Sequence, residues 1–249
     1  MREAELATLQ QAGVSLAWGA ATDIGRRSEN QDSSLAQPPV FAVADGMGGH
    51  AEGAQASATL VEWLGRVPGD QSLTPDSVRE TVRAADVHIR EVARAAGNRQ
   101  GMGTTVAGLA VVETEEGPAW AVFHMGDSRV YRFAEGRLER ISVDHSVVQE
   151  LVDGGMISED DAVAHPQRHL ITRALGVGPQ SDPDVALLPL RAGDRFLLCS
   201  DGLSGDLRDE DIAGYLADNR DPQTVAQRLV DAAVNRGASG VLLRACEAL

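Results

Sequence analysis

Four aspartates in short acidic blocks are the residues of this chain best suited to chemistry. They are Asp32 in E-N-Q-D, Asp45 in V-A-D-G-M-G-G-H, Asp127 in H-M-G-D-S-R-V-Y and Asp201 in L-L-C-S-D-G-L. Each is expected where an apolar strand ends in a turn. Carboxylates converging from strand ends hold hard divalent cations such as Mg²⁺ or Mn²⁺. Two such cations about 3.5–4 Å apart need one bridging carboxylate, several one-metal ligands and water-filled positions. Asp45 is well placed to bridge, with the carbonyl of Gly46 as a further oxygen ligand. A guanidinium can grip phosphate with two parallel hydrogen bonds, a role for Arg27 just ahead of the first block. The set points to a metal-assisted phosphate hydrolase.

Each motif has a plainer meaning when it stands alone. D-G-M-G-G-H reads as a tight turn, a lone turn Asp usually caps a backbone amide, and a lone Arg27 is a solvated charge. Four acids in the same setting are harder to dismiss. No G-K-[ST] follows the glycines and the spacing of a dinucleotide fingerprint is absent, so neither nucleotide motif applies. Nor is there a Cys-based phosphatase signature; Cys199, inside an apolar run, reads as a small core hydrophobe. Hydrolysis would proceed by direct attack of a metal-activated water. His50 is a candidate acid for the leaving oxygen, with a turn or surface role as the alternative.

Short apolar runs at 14–22 and 40–44 read as buried strands, the second followed at once by its Gly-rich turn. Helical spacing runs from Glu52 to Trp63. A second helix starts with Thr74 as N-cap and Pro75 at the first position, carries Val78, Val82, Ala85, Ile89 and Val92 on one face, and stops at Gly97. Apolar segments at 104–113, 119–125, 129–134 and 137–142 are separated by turn residues, which predicts an antiparallel meander. The stretch 154–180 reads as a long irregular excursion, usually a functional or mobile one. Strands resume at 185–190 and 194–200, and helices at 209–216 and 222–234. Two helix groups around antiparallel strands imply an α+β domain, a four-layer α-β-β-α sandwich of two facing sheets with helix pairs outside.

With 249 residues, 43% of them hydrophobic, the chain can bury a substantial core. One domain is expected over 12–249, with 1–11 as a short acidic and polar extension. The net charge of −15 repels nucleic acid phosphates and anionic lipid, so neither partner is expected. Cys199 and Cys246 form no disulfide framework, which fits a reducing cytoplasm. No apolar run is long enough to span a membrane and the first residues are unlike a signal peptide.

The ordered motifs resemble those of the metal-dependent Ser/Thr protein phosphatases of the PP2C type, bacterial branch. They are T-D-I-G-R-R-S-E-N-Q-D, F-A-V-A-D-G-M-G-G-H, G-M-G-T-T-V, H-M-G-D-S-R-V-Y-R, D-H-S-V-V, H-P-Q-R-H-L-I-T-R-A-L-G and L-L-C-S-D-G-L, spread from about Trp18 to Ser239. The resemblance implies hydrolysis of phosphoserine and phosphothreonine in proteins, with two catalytic Mn²⁺ or Mg²⁺ ions and a candidate third. It makes Asp32 the first metal-site acid, Asp45 the bridging carboxylate and Gly46 the carbonyl ligand beside it. Asp201 completes one catalytic site and touches the third ion, Asp127 is that ion's other ligand, and Arg27 binds phosphate. The segment 144–175 is similar to the family's flap, with His169 where Asn is usual, and Thr104 and Thr105 read as packing and turn residues. Substrates would be phosphoproteins, the targets of a Ser/Thr kinase.

One departure stands out. Family domains carry Asp-Asn before a Thr/Val-rich core strand, and that Asp binds a catalytic metal; here Gly240 begins G-V-L-L-R-A-C-E-A-L instead. The abrupt change resembles a reading-frame shift. Val241 to Leu243 could pair as a short strand at a frayed sheet edge, and Ser239 or Glu247 could take the missing acid's place. A catalytically weak or inactive phosphoprotein-binding module is the alternative function.

Overall fold

The computed structural model of the chain describes residues 5–9, 14–48, 50–67, 73–97, 101–218, 220–238 and 240–248. Its first strands are β1 (Glu5–Leu9), β2 (Val14–Asp23), β3 (Asp32–Gln37), β4 (Val40–Met47), β5 (Gly103–Thr104) and β6 (Val106–Thr114). They are followed by β7 (Gly117–Met125), β8 (Arg129–Ala134), β9 (Arg137–Arg140), β10 (Asp184–Pro189), β11 (Arg195–Cys199) and β12 (Val241–Ala248). One sheet has the order β1-β2-β12-β11-β8-β9 and the other β10-β7-β6-β4-β3, with β5 paired to β4; every pairing is antiparallel.

Helices α1 (His50–Gly65) and α2 (Pro75–Ala95) cover the second sheet, while α6 (Asp209–Ala217) and α7 (Pro222–Arg236) cover the first. The α-β-β-α sandwich follows from where apolar side chains fall. Leu60, Val82 and Ile89 pack from the helices onto Ala42, Val106 and Phe123. Leu229 and Val230 pack onto Leu197 and Leu243. Between the sheets, Trp18 meets Phe41 with centroids 5.6 Å apart, and Trp120 meets Phe196 at 5.2 Å. Each large apolar side chain so buried contributes about 1.5–3 kcal/mol relative to exposure.

Helix α2 shows how local chemistry sets an element. Thr74 Oγ1 accepts the Ser77 N–H at 3.1 Å and Ser77 Oγ accepts the Thr74 N–H at 2.9 Å, closing a reciprocal cap around Pro75. Val78, Val82, Ala85 and Ile89 are buried on one face, and Gly97, with φ of 69°, ends the run.

Three expectations are corrected. The strands from 104 to 142 are not one meander: β6 and β7 pair in the second sheet, β8 and β9 in the first, and the chain changes sheet at Gly126–Ser128. Strand β4 does not stop at Asp45 but runs through Asp45 and Gly46 to Met47, and Asp32 begins a strand instead of ending one. Finally, β12 is no frayed edge. It lies between β2, which it pairs along eight residues, and β11, which it pairs along five, with Val241, Leu243 and Ala245 packed toward the helices and Leu242, Cys246 and Ala248 between the sheets. Alternation of small and apolar residues lets this segment serve both faces.

After β9 comes a short helix, α3 (Val147–Asp153); the excursion that follows contains another, α4 (Glu159–Val163), and a one-turn helix, α5 (Asp201–Ser204), follows β11. Residues Glu5–Leu9, within the expected extension, form the edge strand β1. Among the described residues no helix is long and apolar enough to cross a membrane.

Candidate active site

Both sheets deliver acids to one end of the sandwich. Asp32 and Asp45 are direct partners across the antiparallel β3–β4 pair, so both lie side by side at the same level of the sheet. Asp127 sits where the chain crosses between sheets, and Asp201 follows β11 immediately. Arg27 stands in the turn after β2, its Nη1 3.7 Å from Asp45 Oδ1. An open cleft of about 590 Å³ is lined by Arg27, Asp45, Gly46, Asp127 and Asp201, with Thr105, His169 and Ile171 among its walls.

The backbone that presents Asp45 is held on both sides. Its N–H donates to Thr105 Oγ1 at 3.0 Å; its carbonyl accepts from the Thr105 N–H at 2.9 Å and from Thr104 Oγ1 at 3.0 Å. Thr104 ends β5 and Thr105 joins it to β6, so these residues, expected in packing and turns, bind the Asp45 backbone from a strand pair. Gly46 must lack a side chain, because a Cβ would fall 2.1 Å from the Gly53 carbonyl oxygen in α1.

Electrostatics mark the acids as a set. Burial, then the carboxylates of Asp32 and Asp201, push Asp45 well above the usual carboxylate range. Burial is also the main cause of the upward shift at Asp32. Asp127 is lifted to about 7, by burial first and then by Asp201 and Asp144. Mutual repulsion of this kind disappears when a cation sits among the acids. A second observation agrees: Asp32 Oδ1 is buried with no hydrogen-bond partner, while its Oδ2 accepts from Ser200 Oγ at 3.2 Å. Buried oxygens are seldom left unpaired, so these residues fit a hard divalent cation bound through oxygen.

All the described acids expected in the site, and Arg27, are brought together. His50 opens α1, but its side chain lies outside the described residues, as does Ser239. Gly240 does adjoin the site: a Cβ there would stand 3.2 Å from Arg27 Cδ, and a Cβ on Gly202 would meet the Gly240 carbonyl oxygen at 1.6 Å. Glu247 does not substitute for an acid at 240, since it lies at the far end of β12 and pairs with Arg195 at 3.2 Å. His169, at the position where the resemblance expects Asn, reaches within 3.8 Å of Asp201. Ser200 and Ile171 were not singled out from the sequence. Ser200 directly precedes Asp201, which was a usable signal, whereas Ile171 comes near only through the folding of the excursion.

The chain belongs to the Protein phosphatase 2C family, which it matches over residues 21–233. It is 38% identical to the serine/threonine protein phosphatase PstP of Mycobacterium tuberculosis over 89% of its own length and 43% of that protein's. The chain therefore spans less than half of that relative. A putative protein phosphatase 2C-type protein of Streptococcus pyogenes is 34% identical, covering 87% of this chain and 90% of its own. Among solved structures, the catalytic domain of PstP in complex with two manganese ions superposes with a TM-score of 0.86 at 34% identity, covering 95% of this chain and 99% of that one.

Proposed function

We propose that the chain hydrolyses phosphoserine and phosphothreonine monoesters in proteins, with Mn²⁺ or Mg²⁺ held by Asp32, Asp45, Gly46 and Asp201, and with Asp127 and Asp201 serving a candidate third ion. The convergence of Asp45, Asp127 and Asp201 on a cleft also lined by Arg27, with Asp32 paired beside Asp45, carries this reading. Bound there, divalent cations supply Lewis-acid polarisation of a phosphoryl oxygen and lower the pKa of a water.

The chain's own residues do the rest. Asp32 and Asp45, fixed at one level of β3 and β4, supply the anionic charge that anchors the cations. Arg27 touches Asp45 only loosely, at 3.7 Å, and so keeps donors for a phosphate oxygen. Openness of the cleft toward the flap suits a phosphorylated side chain on a protein, and targets of a Ser/Thr kinase are the natural substrates. His50 is proposed as the acid that protonates the leaving oxygen. The free thiols Cys199 and Cys246, both buried, suit a reducing cytoplasm.

Gly240 brings no carboxylate to the wall beside Arg27, so one cation is held more weakly than the others. Activity should therefore keep rising with Mn²⁺ beyond saturation of the first ion. Hydrolysis of a phosphothreonine peptide with Mn²⁺, with and without EDTA, tests the proposal. Turnover that is EDTA-resistant, or absent at millimolar Mn²⁺, would contradict it, the latter favouring the phosphoprotein-binding alternative.

A further inference from the structure

The D-H-S-V-V motif remains without a role, and its His145 makes an unusual set of contacts. His145 Nδ1 accepts the Gly126 N–H at 3.1 Å, and the His145 N–H donates to the Gly126 carbonyl at 2.9 Å. Gly126, with φ of 103°, immediately precedes Asp127. On its other side the ring places Nε2 3.2 Å from Asp184 Oδ2, at the start of β10. Arg173 Nη1 lies 2.7 Å from the same nitrogen and donates to Asp184 Oδ1 at 3.0 Å. The His145 carbonyl accepts from the Thr172 N–H at 2.8 Å, so the returning limb of the flap is fastened to the same residue. His124 stacks on the ring at 5.0 Å with planes 7° apart.

His124, His145 and Asp184 could be read as a metal site, since their ligand atoms lie close together. The hydrogen bonds oppose this. A neutral imidazole bound to metal through Nε2 carries its proton on Nδ1, which here faces the Gly126 N–H, and Arg173 already brings positive charge to Asp184. An acceptor at Nδ1 puts the proton on Nε2, which faces Asp184 Oδ2; Arg173 Nη1, itself a donor, then makes no hydrogen bond to Nε2 and is linked to the ring through the carboxylate they share. Burial, then Arg173, holds the ring's pKa below its ordinary value, in keeping with a neutral imidazole.

We propose that His145 is a positioning residue that fixes the Gly126–Asp127 turn and fastens it, through Asp184 and Arg173, to the flap. The far side of the turn is held by Thr105, whose Oγ1 hydrogen-bonds Ser128 Oγ at 2.6 Å; among the described residues, His145 holds Gly126 itself. The turn crosses between the sheets outside either ladder, and a Cβ on Gly126 would meet Thr105 Cγ2 at 2.6 Å. Asp127 therefore keeps its place in the cleft only while the turn does. The consequence for turnover rests on the assignment of Asp127 to a cation.

Two variants separate the contacts. His145→Asn puts an amide oxygen near the place of Nδ1 and keeps an acceptor for Gly126; His145→Gln puts its amide near Nε2, keeping the contact to Asp184 and losing that acceptor. Amide hydrogen exchange of Gly126, with Mn²⁺ present, should accelerate about tenfold or more in His145→Gln and stay within a fewfold of the parent in His145→Asn. With phosphothreonine peptide, kcat should fall about tenfold in His145→Gln with KM nearly unchanged, and recover most of that loss in His145→Asn. Combined with Asp127→Asn, His145→Gln should add less than twofold to the loss. Unchanged exchange at Gly126, equal losses in both variants, or additive losses with Asp127→Asn would overturn the inference alone. Full turnover in Asp127→Asn would overturn the assignment of Asp127 first, and the catalytic part of this inference with it. Gain of a tightly bound Zn²⁺ that His145→Gln abolishes would return the cluster to a metal site.

Discussion

Buried acids occur in two kinds of place in this molecule. Away from the cleft, each has a guanidinium of its own: Arg90 pairs with Asp86 at 2.9 Å, Arg129 with Asp144 at 2.7 Å and Arg132 with Asp194 at 2.9 Å. Within the cleft, Asp32, Asp45, Asp127 and Asp201 have Arg27 near one of them at 3.7 Å. Asp32, Asp45 and Asp127 resist ionisation, burial being the first cause at each. Charge that the fold balances internally is structural. Charge left unbalanced is what the proposed cations would neutralise.

The comparison is broken most severely at Asp45. Asp45→Asn keeps the shape and removes the charge, so turnover should fall by roughly 4 kcal/mol, about a thousandfold, and Asp201→Asn should behave alike. The metal-free variant should melt no lower than the parent, because repulsion among the acids is relieved, yet gain less stability from added Mn²⁺. A thermal melt with and without Mn²⁺, beside a phosphopeptide assay, checks both halves. Undiminished turnover with metal demonstrably bound would sink the assignment.

Asp194→Ala should do the reverse. Removing one partner of a buried pair strands Arg132, at a cost of about 3–5 kcal/mol in unfolding free energy, while turnover below the melting range is retained. Denaturant unfolding at fixed Mn²⁺ measures this, and rescue of the loss by extra Mn²⁺ would show that the two kinds of acid are not distinct.

Arg27 lies between the two classes, as a guanidinium whose carboxylate contact is loose. Arg27→Ala should weaken kcat/KM for a phosphopeptide by about 1.5–3 kcal/mol without altering metal content, the range for hydrogen bonds to a charged group. Unchanged kinetics would make it a solvated charge.

Asp127 offers a gentler probe through pH. Its folded pKa of about 7 stands above the ordinary carboxylate value of 3.8, so the folded protein holds a proton that the unfolded chain releases. In the metal-free protein this contribution is whole below about pH 4 and is lost as pH rises through 7. Melting temperature without metal should thus decline from pH 5 to pH 8; saturating Mn²⁺ should flatten the decline, and Asp127→Asn should lessen it, leaving the part due to Asp32 and Asp45, whose carboxyls are raised as well. A slope unchanged in Asp127→Asn would assign the whole effect to other groups.

What the sequence disclosed divides along the same line. The cleft acids were legible because cation chemistry demands particular residue types, and the helix caps because Thr74 and Pro75 act within a few residues. Sheet membership was not legible at Asp127: adjoining strands with turn residues between them read alike whether they pair or part, and a contact between Trp120 and Phe196 decides only after both sheets exist. The place of β12 was hidden for the same reason, its partners β2 and β11 being remote in sequence. Likewise nothing local announced that His145 would meet Gly126, nineteen positions earlier.

The smallest effect is expected at Gly240, where two consequences of adding an acid oppose each other. Gly240→Asp would put a fifth carboxylate beside Arg27, raising the negative charge available to cations and lowering the Mn²⁺ concentration needed for half-maximal activity. The backbone resists it, because a φ of 105° is open to glycine and strained for any residue with a Cβ, at about 1–3 kcal/mol, and the new Cβ would press on Arg27 Cδ at 3.2 Å. Gly240→Ala carries the strain without the charge and so serves as the reference. Both variants should melt lower than the parent without metal, by similar amounts, and only Gly240→Asp should recover part of the loss on adding Mn²⁺ and shift its Mn²⁺ titration to lower concentration. Calorimetric titration compares the two directly. Identical Mn²⁺ binding in Gly240→Ala and Gly240→Asp would mean that a carboxylate at 240 does not reach the cations, and that the wall beside Arg27 is not where the weaker ion sits.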